Sequence, residues 1–447
     1  MYFKLKKPNL SKIAKEEISE TLFDEKKEEI FNFIKRVNEE EYLYWDKIKF
    51  KEPAPQGISK EGLWQIIKIS RKMQSKKTPI RDENGKYFSW IKLSYLEEFF
   101  HNLDMNTGGE LFTEKPEVDK RNKQKLITRG IMEEAIASSQ LEGAATSRQM
   151  AKKMLREERK PKNESEQMIV NTYLSMKALE DEYRDKKMST ELILEMHSLI
   201  IKDTFDKKGE KPRIRKGDDD ICVVDKSSGI IYHKAPNIKF VKEEMNMLVK
   251  FANDELETGY FMHPVIKAIF LHFWIGYLHP FTDGNGRLAR LLFYWYLLRK
   301  GYWAFSYLPI SKIIKLSPIQ YEMAYVYSEQ DDNDLTYFAN YNIQKIKLAI
   351  KSFNEYLEKQ VKGNIKMKKK SETRYKLNDR QVYLLQYLYG ASDERTTLKM
   401  HMNVYQVAKM TASKDLKELV RKGFLKPLKK GRNIYYYGTN KIKGLFE

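Results

Sequence analysis

The chain has 447 residues, with 82 Lys and Arg against 62 Asp and Glu, giving a formal net charge of +20 at pH 7. Its 41% hydrophobic content supplies real cores, and its length allows two or three domains, which excludes a disordered tail or a minimal module. A single cysteine, Cys222, excludes an intrachain disulfide, no apolar run reaches the roughly 18 residues of a membrane span, and residues 1–8 lack the apolar core of a signal peptide, so a cytoplasmic location is expected.

Residues 1–125 read as a helical region, with stretches at helical spacing around 13–37 and 60–73; Trp45, Trp64 and Trp90 are expected in its core. Further on, Ile131, Glu134, Ala135, Ser138 and Leu141 recur at helical spacing, and Gly143 reads as the stop signal. The segment 212–236 contains two short β-type runs. Ile221, Cys222, Val223 and Val224 face Ile230, Ile231 and Tyr232 across a turn at 225–229, the pattern of a β-hairpin.

Residues 279–290 concentrate the chemistry. Within twelve positions they hold His279, Phe281, Asp283, Gly284, Asn285, Gly286, Arg287 and Arg290, and the apolar run 291–298 follows directly. The order reads as a helix end, a glycine-rich loop and the start of a buried helix. Backbone N–H groups at a helix N-terminus attract anions, and arginines strengthen such a site for phosphate. A histidine in the same loop can act as a base, and an aspartate can hold Mg²⁺. A glycine pair alone often marks only a turn; here every polar position has a role toward phosphate.

A helix is expected to open at Asp334 as its cap and run to about Ile350, followed by a basic linker or a frayed helix end over 361–375. Residues 364–447 carry 20 Lys and Arg against 7 Asp and Glu, so +13 of the charge lies in the last fifth. Asp379 can cap a helix bearing Val382, Leu384, Leu385 and Leu388. A second helix covers about 397–403, and a third bears Val407, Met410, Leu416, Leu419 and Val420 before ending at Gly423. A hairpin over 424–437 closes the unit. Three helices and a basic hairpin resemble a winged helix, with 411–419 as its recognition helix and Lys409, Lys414, Lys429, Lys430 and Arg432 placed for phosphates. Such units also dock proteins, so DNA contact and protein docking both stay open.

The loop fills H-x-F-x-[D/E]-G-N-G-R-x-x-R at every fixed position, and the chain resembles the Fic family over about residues 126–350. His263, Pro264 and His272 look like the family's approach helix. The resemblance implies transfer of AMP from ATP to a Ser, Thr or Tyr hydroxyl of a target protein, with self-modification as a further expectation. His279 would take the hydroxyl proton, and Asp283 would hold Mg²⁺. Gly284, Asn285 and Gly286 would cradle the phosphates, while Arg287 and Arg290 clamp the outer ones. Tyr321 would lie near the adenine, and the hairpin residues Ile221, Val223, Ile230 and Tyr232 would form a flap that holds the target by strand pairing.

Ser138, Glu142 and Gly143 match the family's inhibitory motif [S/T]-x-x-x-E-[G/N]. Glu142 would pair with Arg290 and leave ATP in a pose unfit for attack, or would instead help to remove AMP from a modified target. The expected fold is mainly α: a Fic helical core with a β-hairpin flap, then a winged helix-turn-helix. The expected divisions are 1–125 helical, 126–360 Fic with an inhibitory helix at 131–143, a linker at 361–375 and a winged helix at 376–447. The function expected is a self-inhibited protein adenylyltransferase using ATP and Mg²⁺, with a homodimer as a further expectation. From another class, a DNA-binding regulator whose Fic-like domain senses nucleotide is the alternative.

Overall fold

The computed structural model describes residues 1–12, 27–107, 120–204, 213–217, 219, 221–224, 228–389, 395–431 and 433–446. Most of the first expected helix, Pro212, the hairpin residues 225–227 and Arg432 lie outside the described residues. In chain order, α1 (Lys27–Lys35) leads into a π turn (Arg36–Glu40), and α2 (Lys60–Gln74) starts at Ser59, whose Oγ accepts from the Gly62 N–H at 3.0 Å. An antiparallel pair, β1 (Lys76–Arg81) and β2 (Tyr87–Trp90), follows, then α3 (Tyr95–Thr107). Helices α4 (Lys120–Leu141), α5 (Arg148–Glu157), α6 (Glu164–Ala178) and α7 (Thr190–Ile201) precede the hairpin of β3 (Cys222–Val224) and β4 (Ile231–Lys234). Next come α8 (Ile238–Ala252), α9 (Pro264–Leu278), α10 (Asn285–Arg299) and α11 (Pro318–Gln330). The chain is therefore mainly α, with a few short strands.

Helix α12 (Thr336–Arg374) runs helically through the stretch expected to be a basic linker. Lysine is a good helix former, and nothing in 361–374 breaks the pattern apart from one glycine, so a run of like charge there does not unwind the chain. Beyond it lie α13 (Asp379–Tyr389), β5 (Arg395–Thr397), α14 (Leu398–Tyr405), α15 (Lys409–Arg421), β6 (Leu425–Lys430) and β7 (Asn433–Gly438). The sheet order is β5-β7-β6, so a third strand joins the expected hairpin.

The chain divides into two compact units. The first comprises Met1–Thr113, Leu174–Phe305 and Ile313–Ile346; the second comprises Glu114–Tyr173, Ser306–Lys312 and Lys347–Glu447. This division cuts across the sequence-based one. It groups the N-terminal region with the glycine-rich loop, and it groups α4 with the C-terminal helices.

In the first unit α9 is buried along almost its whole length, as its unbroken apolar sequence demands, and it packs on α10. Each fully buried large side chain here, such as Phe270, Phe273, Trp274 or Leu278, contributes about 1.5–3 kcal/mol. Phe88, Phe273, Tyr325 and Phe338 form an aromatic cluster around Gly276, where an added Cβ would lie 2.3 Å from the Tyr325 Oη. Trp45, Trp64 and Trp90 are buried, as core packing requires.

The second unit has two apolar clusters. Met132, Ile136, Ala151, Met154, Leu155 and Ile169 join α4, α5 and α6; Leu385, Leu388, Leu416, Leu419, Phe424 and Leu425 form the centre of the C-terminal part. Gly130 lets α4 pass against the 306–307 backbone, since a Cβ there would sit 2.3 Å from the Tyr307 Cα. Buried Asp415 on α15 is held by Arg380, Asn378 and His401. Burial opposes its charge, but these donors hold the carboxyl below the ordinary range. The face of α15 bearing Lys409, Lys414 and Lys417 is exposed.

Candidate active site

Helix α9 begins at His263 with Pro264 in its first turn and ends at His279, which adopts a left-handed conformation (φ 45°, ψ 58°). A non-glycine residue in that region is uncommon, and here it turns the chain straight into the loop. His279 is pinned on both sides. Its backbone N–H donates to the Ile275 carbonyl at 3.0 Å, and its ring Nδ1 lies 2.8 Å from the Gly276 carbonyl. A carbonyl only accepts, so Nδ1 carries the hydrogen. In the neutral ring that leaves Nε2 as the basic nitrogen.

The loop then closes on itself. The Phe281 N–H donates to Asn285 Oδ1 at 3.0 Å, and Asn285 Nδ2 returns a bond to the Phe281 carbonyl at 2.7 Å. The Asn285 side chain is thus spent on shaping the loop, and only its backbone N–H remains for a ligand. Phe281 is fully buried, the anchor that turns the loop inward. Gly284 sits at φ 82° as the N-cap of α10; an added Cβ would meet Ile201 Cγ2 at 3.0 Å and Ile200 Cγ2 at 3.3 Å. Position 284 therefore needs glycine both for its left-handed backbone and for space. The first N–H groups of α10, including those of Asn285 and Gly286, have no carbonyl of their own helix to bond and carry the positive end of its dipole.

Arg287, expected to clamp phosphate, makes its observed contacts to the protein itself. It is buried, with Nη1 on the Ile200 carbonyl at 3.0 Å and Nη2 on Asp283 Oδ2 at 2.9 Å. As placed, it ties the loop to the end of α7 and orients the carboxylate. Asp283 itself is half-exposed, and among the described residues its second oxygen makes no hydrogen bond. Among the described residues no group of three or more His, Cys, Asp or Glu gathers for a metal. One oriented, solvent-facing carboxylate fits a cation that takes one protein oxygen and draws its other ligands from substrate phosphates and water, the usual habit of Mg²⁺.

Arg290 is buried one turn further along α10. Burial, and secondarily the Arg290 charge, pushes the His272 pKa far down, so His272 is neutral. His272 Nε2 and the Tyr321 hydroxyl are 2.7 Å apart, and Tyr321 is half-buried against Tyr325, Phe338 and Tyr341. Tyr321 and Arg290 thus flank the same buried histidine.

Three supporting residues escaped the sequence reading. His197 on α7 stacks on Phe281, with ring centroids 3.7 Å apart, and its Nε2 lies 2.8 Å from the Asp283 carbonyl. Burial lowers its pKa to about 4, so the neutral ring donates to that carbonyl. Arg215 gives its backbone N–H to the Pro280 carbonyl at 2.9 Å and its Nε to the His279 carbonyl at 3.0 Å. His233 on β4 bridges Glu329 (Nδ1, 2.8 Å) and the Tyr277 carbonyl (Nε2, 2.8 Å), and its ring centroid is 6.1 Å from that of His279. Burial works against its charge, but the Glu329 carboxylate outweighs it and raises the pKa. A histidine at helical spacing in the apolar run 190–201 was the one available signal; the others lack any local pattern.

Of the hairpin residues, Val223 and Tyr232 lie in the paired strands, while Ile221 and Ile230 flank them. The outer edge of β4 is already occupied. The Ile231 N–H donates to the Met1 carbonyl at 2.9 Å, and the Phe3 N–H donates to the Ile231 carbonyl at 2.8 Å, a parallel contact from the chain's own first residues. In the second unit, Ser138 is buried, and Glu142 is half-buried just past the end of α4. Gly143, at φ 102°, donates its N–H to the Gln140 carbonyl at 3.2 Å and so supplies the helix stop.

Residues 187–297 match the Fic/DOC family model, and the whole of the loop and its supports from α7 and β4 fall inside the matched segment. The protein adenylyltransferase Fic of Culex quinquefasciatus is 48% identical over 46 residues, 10% of this chain and 9% of that protein. Those of Drosophila ananassae and Nematostella vectensis are 51% and 39% identical over 58 and 72 residues. The matches thus span only 9–16% of the length of these relatives. Among solved structures, a Fic family protein from Desulfovibrio desulfuricans is 17% identical, covering 78% of this chain and 97% of its own, with a TM-score of 0.48. Fic-1 from C. elegans is 18% identical, covering 60% of this chain and 75% of its own, at 0.45. Among the described residues no helix is long and apolar enough to cross a membrane.

Proposed function

We propose that this chain is a self-inhibited protein adenylyltransferase that moves AMP from ATP to a hydroxyl of a protein. The observation that carries the reading is His279. Its Nδ1 hydrogen is committed to Gly276, which makes Nε2 the base, at the mouth of an anion-seeking helix start and four residues before an oriented carboxylate. In the reaction the target hydroxyl loses its proton to His279 Nε2, and its oxygen bonds to the α-phosphorus. The bond from that phosphorus to the bridging oxygen breaks, and pyrophosphate leaves with the electron pair. The N–H groups of Asn285 and Gly286 hold the negative charge of the phosphates in place. Arg290 would meet the outermost phosphate, and Tyr321 would border the base. Asp283 would hold Mg²⁺, which neutralises charge on the departing pyrophosphate.

Glu142 would act as the gate by competing with phosphate for Arg290. A misplaced phosphate spoils in-line attack, so one carboxylate is enough to hold the enzyme off. The C-terminal elements read as a winged helix, with the exposed lysines of α15 as the feature that favours contact with a polyanion such as DNA.

The test uses wild type, Glu142→Gly and His279→Ala with ATP labelled at the α or the γ position. Alpha label held by protein in Glu142→Gly, weak in wild type and absent in His279→Ala is expected. Gamma label on protein would overturn the reaction. Unchanged label in a folded Glu142→Gly would overturn the gate and leave AMP removal as the reading of Glu142.

A further inference from the structure

The first residues of the chain lie in a cradle that addresses them as an extended strand. Their side chains alternate: Phe3 is half-buried and Leu5 is buried, while Tyr2, Lys4 and Lys6 are exposed. The Phe3 ring packs against Tyr232 of β4, with centroids 5.3 Å apart. The backbone of the inward-facing positions is bonded in turn. Ile231 of β4 takes the Met1 carbonyl at 2.9 Å and the Phe3 N–H at 2.8 Å. The Gln330 side chain then serves as the next piece of strand edge. Its Nε2 donates to the Phe3 carbonyl and its Oε1 accepts from the Leu5 N–H, each at 2.9 Å. Finally, the Tyr44 hydroxyl donates to the Lys6 carbonyl at 3.4 Å.

A side-chain amide offers a donor and an acceptor side by side, as a neighbouring strand does. These contacts address N–H and C=O groups that nearly every residue has. They therefore select extended shape, and the inward positions of Phe3 and Leu5 select apolar side chains two residues apart, the division of labour of strand addition. The place also matters. The same strand carries His233, whose ring centroid is 6.1 Å from that of the proposed base His279. A cover on a strand edge can be permanent protection against unwanted pairing. Here it lies on the element next to the base, and it is held at a few backbone points and two inward side chains.

We propose that residues 1–5 are an internal stand-in, and that the cradle of Ile231, Gln330 and Tyr44 opens to an extended peptide segment with apolar residues two positions apart. Displacement of the stand-in is then a second brake, separate from Glu142, and Gln330 is a residue that positions the incoming strand. That the incoming peptide is one that receives AMP rests on the adenylyltransferase reading; the docking does not.

The test measures docking alone. The probe is a peptide of residues 1–8 carrying a fluorophore at its C-terminal end, followed by anisotropy without nucleotide. It is titrated with the wild-type chain, with Leu5→Asp, and with Leu5→Asp combined with Gln330→Leu. A carboxylate at position 5 is too costly to bury and expels the stand-in. Saturable one-to-one binding to Leu5→Asp is expected. Wild type should bind about tenfold or more weakly, because its tethered segment competes at a high effective concentration. Adding Gln330→Leu should weaken binding by about tenfold through the two lost hydrogen bonds. A probe N-methylated at Phe3 should lose a similar factor. A probe with Phe3→Ser and Leu5→Ser should lose more than about tenfold, and one with Lys4→Ser and Lys6→Ser should stay within about threefold. A chain lacking residues 2–8 serves as a second opened form, and circular dichroism checks each fold. No saturable binding to a natively folded opened chain, or equal binding by wild type and the opened chains, would overturn the stand-in and leave a permanent cover. Undiminished binding of the Phe3→Ser, Leu5→Ser probe would overturn the ligand class, and an unchanged affinity with Gln330→Leu would overturn its role. None of these readouts uses ATP, so their failure is distinct from failure of the enzyme reading.

Discussion

Glu329→Gln is the most discriminating perturbation of the site's frame. His233 is hydrogen-bonded at both ring nitrogens, to a carboxylate and to the Tyr277 carbonyl, each at 2.8 Å. Both partners only accept while Glu329 is ionised, so the ring satisfies both only as imidazolium. Its side chain and that of Glu329 are 8% and 13% exposed, so water does little to relieve a mismatch. With glutamine at 329 a positive ring has no counter-charge, whereas a neutral ring stays matched, its Nε2–H on the Tyr277 carbonyl and its Nδ1 accepting from the amide N–H. The variant therefore loses what the carboxylate adds to the protonated ring, about 1.5–3 kcal/mol for a hydrogen bond to a charged group. The pH dependence follows from the raised pKa of His233. The folded state holds this proton more tightly than the unfolded chain, whose histidine titrates near 6.5. The stabilisation is complete below that value and is lost as pH rises through the higher folded value. NMR titration of labelled histidines, seven in all, with His233→Phe to assign the signal, gives the folded pKa directly. Denaturant unfolding at several pH values gives the linked stability. Wild type should lose stability across the window above pH 6.5, and Glu329→Gln should be less stable below it with a flatter slope. An unchanged His233 titration in Glu329→Gln, or equal stability at pH 6, would refute the imidazolium bridge.

Two other substitutions probe the loop and the hairpin. Gly284→Ala places a Cβ 3.0 Å from Ile201 at φ 82°, costing about 1–2 kcal/mol for the left-handed backbone alone, and should cut AMP transfer far more than it lowers the melting temperature. Wild-type activity in that variant would show that the loop tolerates a shifted α10 start. Phe3→Pro removes the N–H that bonds the Ile231 carbonyl and so loosens the chain's own strand from the β4 edge. If target proteins pair with that edge, modification of a peptide substrate should rise in the Glu142→Gly background. No change, with the strand shown displaced by faster amide exchange, would place the target elsewhere, such as on β3.

The legible part of this chain is the part whose partners are close in sequence. His279, Asp283, Gly284 and Asn285 lie within one helix end and one turn, and the spacing of glycines, an amide and an acid in a run of twelve residues points to that turn. The helix stop at Gly143 was readable for the same reason, since its N–H is satisfied three residues back at Gln140. What was not legible is what holds that turn still. Arg215, His197 and His233 reach the loop and the end of α9 across 64, 86 and 44 positions of sequence, through a backbone carbonyl each time. A carbonyl belongs to every residue, so a side chain that bonds one leaves no complementary residue type to search for. The basic stretch 361–374, expected as a basic linker or a frayed helix end, was conspicuous in composition, and it continues α12.

Arg287 joins the two cases. Its place in the sequence pattern says phosphate, yet the structure spends two of its N–H groups on Asp283 and on the last turn of α7. An arginine so used still serves phosphate chemistry, because a carboxylate that swings freely cannot hold a cation in one position. The repeat of glycine, amide, glycine and arginine is therefore better understood as the means of fixing one carboxylate and one helix start than as a set of ligands. On the reading proposed above, Arg290, one turn on and buried beside neutral His272, would meet the outer phosphate. A gate acting on Arg290 can then stop transfer while leaving the base, the carboxylate and the helix start in place.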